Sequence, residues 1–434
     1  MVPDSSNSNG RVPVAPTVLL TDTIRWVGTA RLAIGLKKAG MNVAVACQVQ
    51  GHPVLKTSAV GHVLPYSGLR PLSSLMAAIE TAKPQIIIPC DDRAVQHLHE
   101  LHALKRTKSG SDLAVAALIE YSLGPPEGYT IVSSRQGLLE VAREEGIRVP
   151  DTNRIEGLDD LDHCLAKHAL PCVLKADGTW GGSGVKIAHT VEQARQCFLE
   201  VVHFFGAERA IKQLIVYRDS FWLRPWWKRS RPAVIVQSYV SGRPANCAVV
   251  CWKGKILAGI GVEVVSTEGS TGPATVVRVV ENPEMMYSAK RIAHKLNLSG
   301  FFGLDFIIEK ESGATYLIEM NPRCTPVCHL QLGRGRDMIG ALFAQLSGQP
   351  FREAPSVTQN DMIAYFPQAW RCKSKFLKSS FLDVPLEEPA LVSELLRPRP
   401  DLGVVARLFH LLGARGEGRR KSAAGWNGVG DCNC

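Results

Sequence analysis

The sequence predicts a mixed protein that combines an α/β domain with α+β subdomains, and three observations carry this prediction. Strands and helices alternate over residues 17–90, which is typical of a parallel sheet covered by helices. Between Gly303 and Arg323 two short apolar strands flank a polar turn, which predicts a hairpin. The chain of 434 residues is too long for one core, so several domains are expected.

The first domain is predicted from its order of elements. These are a strand, a helix, a strand, a helix and a strand, at Thr17–Asp22, Ile24–Lys38, Asn42–Cys47, Leu72–Ala82 and Pro84–Cys90. The order predicts a Rossmann-like domain at residues 16–125, after a disordered leader at 1–15. Ligands of such sheets bind beyond the carboxyl ends of the strands. Four polar residues lie at those ends and either face a substrate cleft or cap helices: Thr21, Asp22, Asp91 and Asp92.

A glycine-rich loop follows the short apolar strand Pro171–Lys175. The loop contains Gly178, Gly181, Gly182, Ser183 and Gly184. Backbone N–H groups of such a loop can approach phosphate closely, and the lysine supplies a positive charge for the same phosphates. The loop is not a Walker loop, because no Gly-Lys-Ser/Thr follows it. It also lacks the helix that opens directly after a Rossmann fingerprint.

The hairpin carries the most informative polar residues of the chain. Side chains alternate along a strand, so Glu319, Asn321 and Arg323 are predicted on one face, with Asp305 on the partner strand. Carboxylate and amide oxygens suit Mg²⁺ that bridges phosphates, and an arginine can grip a phosphoryl oxygen. A solvated strand face is the alternative. The apolar flanks argue against it, because buried carboxylates need a partner or a metal.

The same alternation predicts the opposite face of the second strand. Ile318 and Met320 are expected to point together toward a core.

In this order the segments resemble the ATP-grasp superfamily, of the carboxylate–amine ligase type and related to the ATP-binding domain of the carbamoyl-phosphate synthase large subunit. The resemblance covers roughly residues 125–345 and includes a linking segment at 233–242. It implies that a nucleotide is held between two α+β subdomains. The implied limits are an ATP-grasp domain at 126–350 with subdomains 126–235 and 236–350, a basic C-terminal extension at 351–412 and a disordered tail at 413–434.

The resemblance also implies a role for each matching residue. The implied nucleotide-binding residues are Arg135, Lys175, Gly178, Gly181, Gly182, Ser183, Gly184, Gln237, Tyr239 and Val240. The implied ligands for Mg²⁺, or for Mn²⁺ as an alternative, are Asp305, Glu319 and Asn321. The implied catalytic residues are Arg323, which would steady the transferring phosphoryl group, and Lys175.

The sequence departs from the family pattern at four places. Arg135 replaces the commoner lysine, Gln237 replaces a glutamate, and Asp305 replaces a glutamate. The segment 243–247 carries no acid for the ribose, with Asn246 as a substitute. Charge or oxygen donors survive at these positions, so an active enzyme is expected.

The expected function is an ATP-dependent ligase that activates a small carboxylate as an acyl phosphate and joins it to an amine of an amino acid or peptide-like acceptor, releasing ADP and phosphate. Two alternatives stay open. One is a carboxylase or carbamoyl-phosphate-like reaction on bicarbonate, although no Ala-Met-Lys-Met biotinyl site is found. The other is a nucleotide-binding regulatory protein without turnover. The acid and the amine are not identified by the sequence.

Composition limits the cellular locations that we expect for the protein. No run reaches the roughly 18 apolar residues of a membrane span, and the polar start is unlike a secretory signal. The 12 cysteines are then expected to be reduced thiols, including Cys324 and Cys328 near the hairpin, although a metal pair is an alternative. We therefore expect a cytoplasmic protein, as a monomer or a homodimer.

The net charge of +10 is unevenly placed. Residues 218–231 interleave basic residues with tryptophans, which suits nucleobases, an anionic membrane, an acidic substrate or an inserted surface loop. The basic tail, which ends in Cys432 and Cys434, could touch RNA or membrane or be merely solvated.

Overall fold

The computed structural model describes residues 15–167, 169–177, 184–203, 233–269 and 272–397. Within these ranges the chain forms three β-sheets with helices packed against them. None of the helices in the described ranges is long and apolar enough to cross a membrane. The ten cysteines that these ranges contain are free thiols.

The first sheet confirms the predicted parallel α/β domain. Its strands are β1 Thr17–Asp22, β2 Asn42–Cys47, β3 His62–Pro65 and β4 Ile86–Pro89, in the order β3-β2-β1-β4. Its helices are α1 Val27–Lys38, α2 Pro71–Ala82, α3 Asp92–Lys105 and α4 Ser111–Leu123. Helix α1 begins three residues later than predicted, because the Asp22 carboxylate accepts hydrogen bonds from the backbone N–H of Ile24 and of Trp26, both at 2.9 Å.

The second sheet is antiparallel and has one covered face. Its strands are β5 Thr152–Ile155, β6 Cys172–Ala176, β7 Val185–Ala188 and β8 Val234–Ser238, in the order β5-β8-β6-β7. Helices α7 Leu158–Leu165 and α8 Val191–His203 pack on the covered face with Leu174 and Val236. Alternate residues such as Val173 and Lys175 lie on the other face, which lines a cleft.

The third sheet has seven strands and forms the largest layer of the described chain. They are β9 Gly242–Trp252, β10 Lys255–Thr267, β11 Ala274–Val279, β12 Gly300–Glu309, β13 Thr315–Asn321, β14 Met362–Ala364 and β15 Phe381–Leu382. Their order is β13-β12-β9-β10-β11-β14-β15, antiparallel apart from the β14–β15 pair. The predicted hairpin is β12–β13.

The two faces of the third sheet bury different partners. Val249, Phe302 and Leu304 pack against helices α5 Tyr129–Val132, α6 Arg135–Glu144 and α9 Pro283–Lys295. The opposite face contributes Ala248, Val250 and Ile260 to a core that also contains residues of α1, β1 and β2 and of helix α10 Met338–Ser347. The first domain and the third sheet therefore share one hydrophobic core.

The structure differs from the predicted subdomain limits at three places. The limit at residue 235 falls inside β8, which belongs to the second sheet because it pairs with both β5 and β6. Helix α6 packs on the third sheet instead of the second, because its apolar face contacts the core beneath β13. The segment after residue 350 adds β14 and β15 to the third sheet and continues into the short helices α11 Gln368–Arg371 and α12 Pro389–Leu396.

Candidate active site

A cleft of about 670 Å³ separates the second sheet from the third. Its walls are the open face of the second sheet, one face of the third sheet, and the loops at the carboxyl ends of β1 and β4. Of the residues implied as nucleotide, metal or catalytic groups, eight line this cleft: Lys175, Gln237, Tyr239, Val240, Asp305, Glu319, Asn321 and Arg323.

Arg135 enters the site from the start of helix α6. The Ser134 hydroxyl accepts a hydrogen bond from the backbone N–H of Gly137 at 3.1 Å and so caps this helix. The Arg135 guanidinium donates to Glu319 Oε1 at 2.8 Å and to the Ala176 carbonyl. Burial opposes its charge, but Glu319 and Asp177 raise the pKa of Arg135, so it remains a cation.

Lys175 lies on β6, beside β8, with its side chain buried beneath the cleft. Burial lowers the pKa of Lys175 to about 8, against the opposing effect of Glu319. A buried ammonium in a cleft is a suitable partner for an anionic ligand, because the negative charge of the ligand offsets the cost of keeping the lysine charged away from water.

The hairpin places Asp305 directly opposite Glu319 across the β12–β13 pair. Asp305 accepts hydrogen bonds from Asn246 Nδ2 on β9 at 2.6 Å and from Asn321 Nδ2 at 2.8 Å. Burial, and then the neighbouring charge of Glu319, raises the pKa of Asp305. The predicted gathering of two carboxylates and an amide on one face is therefore confirmed as geometry.

The prediction that Ile318 points to the core is wrong. A β-bulge between the Asp305–Glu319 and Phe306–Leu317 pairs leaves Ile318 as the extra residue of β13. Leu317 and Met320 therefore face the core, while Ile318 and Glu319 both line the cleft. The bulge adds an apolar side chain to the wall beside the carboxylates.

Arg323 connects the hairpin to the first domain. Its guanidinium donates from Nη2 to Asn321 Oδ1 at 3.0 Å and from Nε to Asp92 Oδ2 at 2.9 Å. Burial opposes its charge, but Asp92 raises the pKa of Arg323, so the cation is retained. Arg323 is thus oriented at the point where the third sheet meets the end of β4.

Of the four polar residues at the strand ends, the three aspartates separate into two roles, whereas Thr21 is fully buried. Asp91 caps helix α3, accepting from the backbone N–H of Ala94 at 2.9 Å, and also binds Thr23. Asp22 binds the loop that precedes α1. Asp92 lines the cleft and holds Arg323. The sequence could not distinguish the role of Asp92 from that of Asp91, because both residues follow strand β4.

The linking segment joins the two sheets across the cleft. Gln237 is buried and donates from Nε2 to Thr152 Oγ1 at 3.0 Å. Tyr239 is exposed, and it lines the cleft together with Val240. Asn246, considered as a ribose ligand, instead holds Asp305.

Some predicted residues lie outside the described ranges. These are Gly178, Gly181, Gly182 and Ser183, the segment 218–231 and the tail with Cys432 and Cys434. Gly184 is described, and its carbonyl accepts from the backbone N–H of Ala176 at 3.3 Å, which fixes the returning end of the loop on β6.

Cys324 and Cys328 lie directly behind Arg323 as free, buried thiols. The Thr325 backbone N–H donates to Cys328 Sγ at 3.2 Å. Both thiols are packed inside the protein core.

The donor set of the hairpin fits a hard divalent cation. Within the described ranges, no group of three or more His, Cys, Asp or Glu side chains could hold a metal ion. The hairpin set does not need such a group, since it consists of two carboxylates and the amide of Asn321. Oxygen ligands of this kind are those that Mg²⁺ binds, usually with phosphates and water completing the shell.

Comparisons with known proteins agree with this geometry. Residues 220–327, from before β8 to just beyond Arg323, match the family model of the ATP-grasp domain. This stretch of the chain is similar to an ATP-grasp domain. A comparison with curated proteins finds no match.

Solved structures show the same ATP-grasp fold over most of the chain. An N5-carboxyaminoimidazole synthetase from Staphylococcus aureus, complexed with ADP, has a TM-score of 0.56 at 12% identity, covering 79% of this chain and 80% of that one. The biotin carboxylase domain of Hydrogenobacter thermophilus 2-oxoglutarate carboxylase, with MgADP and bicarbonate, has a TM-score of 0.54 at 14% identity, covering 78% and 71%. An L-amino acid ligase from Bacillus licheniformis has a TM-score of 0.54 at 12% identity, covering 76% and 75%. At these identities the likeness concerns the fold.

Proposed function

We propose that the protein is an ATP-dependent ligase that activates a carboxylate as an acyl phosphate and joins it to an amine, releasing ADP and phosphate. The observation that carries this proposal is a row of neighbouring charged and amide groups at the cleft, linked by hydrogen bonds and by the Asp305–Glu319 cross-strand pair. The row runs through Arg135, Glu319, Asp305, Asn321 and Arg323 and ends at Asp92. Cations for phosphates and oxygens for Mg²⁺ therefore lie side by side.

ATP is proposed to bind with its base near the linking segment. The backbone of Tyr239 and Val240 supplies polar groups there, and Gln237 adds an amide oxygen. Val173 on the second sheet and Ile318 on the third offer apolar surface for the two faces of a base. The bulge at Ile318 thus acquires a role that strict alternation would not provide.

The phosphates are proposed to extend from the base toward Lys175 and Arg135. Both side chains are buried beside Glu319, so their charges act in a medium that screens them weakly. Asp305, Glu319 and Asn321 would hold Mg²⁺. When bound, that ion neutralises charge on phosphate oxygens.

Arg323 is proposed to hold the substrate carboxylate near the terminal phosphate. A carboxylate oxygen attacks the terminal phosphorus, the bond to the β-phosphate oxygen breaks, and ADP leaves. The amine then attacks the acyl carbon, phosphate leaves, and the amine loses one proton. The guanidinium, fixed by Asp92 and Asn321, is already oriented to stabilise the negative charge that develops.

Release of ADP by the full-length chain tests the function. The purified protein is given ATP, Mg²⁺ and a panel of carboxylates with hydroxylamine, which traps an acyl phosphate as a hydroxamate. Stimulated ADP release with hydroxamate formation supports the ligase. Bicarbonate as the single stimulating acid indicates a carboxylase instead, and ATP binding without ADP release indicates a regulatory protein.

The hairpin carboxylate provides the first substitution to measure. Glu319→Gln is expected to lower the rate of ADP release by at least about 100-fold. Glu319 is both a proposed metal ligand and the partner of Arg135, and the substitution removes its charge. The fold is expected to remain, as followed by circular dichroism. Glu311→Gln, in the exposed hairpin turn, is the matched control and should turn over at the parent rate. Parent-like turnover in Glu319→Gln would show that the ion is held elsewhere.

A further inference from the structure

The cleft continues past the charged row toward strands β10 and β11, away from the hairpin edge of the third sheet. Its wall changes character there from charged to apolar. The residues of this wall, which we name the apolar end, are Trp26, Val262, Val264, Val277, Val327 and Tyr365. Trp26 and Val264 are partly exposed, whereas the other four are buried.

The position of Trp26 is fixed by its neighbours in the first domain. Its backbone N–H donates to Asp22 Oδ2 at 2.9 Å, and His52 Nε2 lies 2.9 Å from the same oxygen. The indole covers Gly28 so closely that a Cβ at this glycine would stand 2.4 Å from the ring. A glycine at position 28 is therefore what allows the indole to fold back over the start of α1.

Charged groups near the apolar end are already engaged. Asp92 holds Arg323, and Asp91 accepts hydrogen bonds from Thr23 and from the start of α3. Arg93 also borders the cleft. Thr267, Thr325 and Gln368 also line the cleft. The surface that the valines of the third sheet form with Trp26 is apolar, and it cannot replace the water that a polar substrate side chain would lose.

We propose that the carboxylate substrate carries an apolar side chain, which packs between the Trp26 indole and the valines of the third sheet while Arg323 receives its carboxylate. This inference rests on the proposed ligase function. It concerns the substrate alone and makes no demand on the nucleotide half of the cleft.

Pairs of carboxylates with equal shape and different polarity test the substrate class. The full-length chain is given ATP, Mg²⁺ and hydroxylamine, with 4-methylpentanoate against succinamate and with leucine against asparagine. The expected kcat/KM for hydroxamate formation is about tenfold or more higher for the apolar member of each pair, since a few apolar contacts discriminate to this extent.

Trp26→Ala is expected to raise KM for 4-methylpentanoate by about tenfold and to leave KM for ATP unchanged. Trp26→Phe should have a KM for 4-methylpentanoate close to that of the parent. The control is Trp370→Ala, on the exposed side of α11 and 52% exposed, which should behave as the parent. A KM for 4-methylpentanoate that Trp26→Ala leaves unchanged would remove Trp26 from the site and overturn the proposal.

The outcomes separate the substrate class from the function. Equal or better turnover of succinamate and asparagine overturns the apolar substrate while the ligase function stands. Absence of turnover with every organic carboxylate overturns both.

Discussion

The chemistry of Lys175 depends strongly on its surroundings. Burial lowers its pKa to about 8, below the usual value of about 10.4 for the unfolded chain. The unfolded chain therefore binds more protons between these two values. On this group alone, the ligand-free protein gains stability as pH rises through that window, whereas binding of a phosphate requires the protonated form.

ATP affinity is accordingly expected to fall above pH 8. The dissociation constant for ATP should rise by up to about tenfold per pH unit, as measured by calorimetry between pH 6.5 and 9.5. Lys175→Arg should bind ATP with an affinity that changes little over this range, because a guanidinium stays charged.

A second lysine gives the matched control for this titration. Lys186 lies on the neighbouring strand β7, exposed and 3.0 Å from Glu200. Lys186→Arg should keep the pH dependence of the parent protein. A parent profile that is flat across pH 8 would mean that Lys175 does not hold the phosphates.

At the scale of an element, the β12–β13 hairpin shows how far sequence reasoning reaches. Apolar runs around a polar turn predict both strands, and alternation predicts that Glu319 and Asn321 share a face. The bulge at Ile318 has no comparable signal in the sequence. Leu317, Ile318 and Met320 are all apolar, so the sequence does not show which two of them face the core. The edge strand β3 is missed for a related reason, since its mostly exposed residues do not read as a buried strand.

The bulge predicts opposite effects for two adjacent apolar residues. Leu317→Ala is expected to reduce the free energy of unfolding by about 2–5 kcal/mol, because the side chain is fully buried. Ile318→Ala should cost less than about 1.5 kcal/mol and instead raise KM for ATP, because its side chain lines the cleft. Urea unfolding and ADP release measure the two effects. A loss of stability that is larger in Ile318→Ala than in Leu317→Ala would contradict the bulge.

At the scale of the whole molecule, the first domain and the C-terminal segment are bound together. Asp383, just after β15, pairs with Arg31 of α1 and with His329 Nε2 at 2.7 Å. Glu388 accepts from Thr57 Oγ1 at 2.9 Å and from Ser58 Oγ at 2.7 Å. The strand–helix alternation predicts the first domain. Arg31, Thr57 and Ser58, however, each lie more than 300 residues from the acid that they bind, and no local pattern connects them.

Loss of the Asp383 carboxylate is expected to destabilise the protein strongly. Asp383→Ala leaves two largely buried side chains, Arg31 and His329, without their partner and should cost about 3–5 kcal/mol at pH 7 in urea unfolding. Burial alone would raise the pKa of Asp383, but His329 and Arg31 lower it well below its usual range. The stabilisation is thus present above about pH 4 and is lost as pH falls through the lower folded-state pKa.

The neighbouring acid Glu387 provides the control for this effect. It forms an exposed pair with Lys38 at 2.6 Å, and Glu387→Ala should cost less than about 1 kcal/mol. Equal losses in the two variants would contradict a role for the buried network.

The Arg323–Asp92 pair has a consequence for chimeric proteins. A graft that exchanges the first domain for that of a protein with a similar fold would also exchange the carboxylate that orients Arg323. Such a chimera could fold and keep the proposed nucleotide site while the Arg323 guanidinium pointed away from the proposed substrate. A compatible graft must therefore keep an acid at position 92. That residue belongs to the first domain, which contains none of the implied metal ligands.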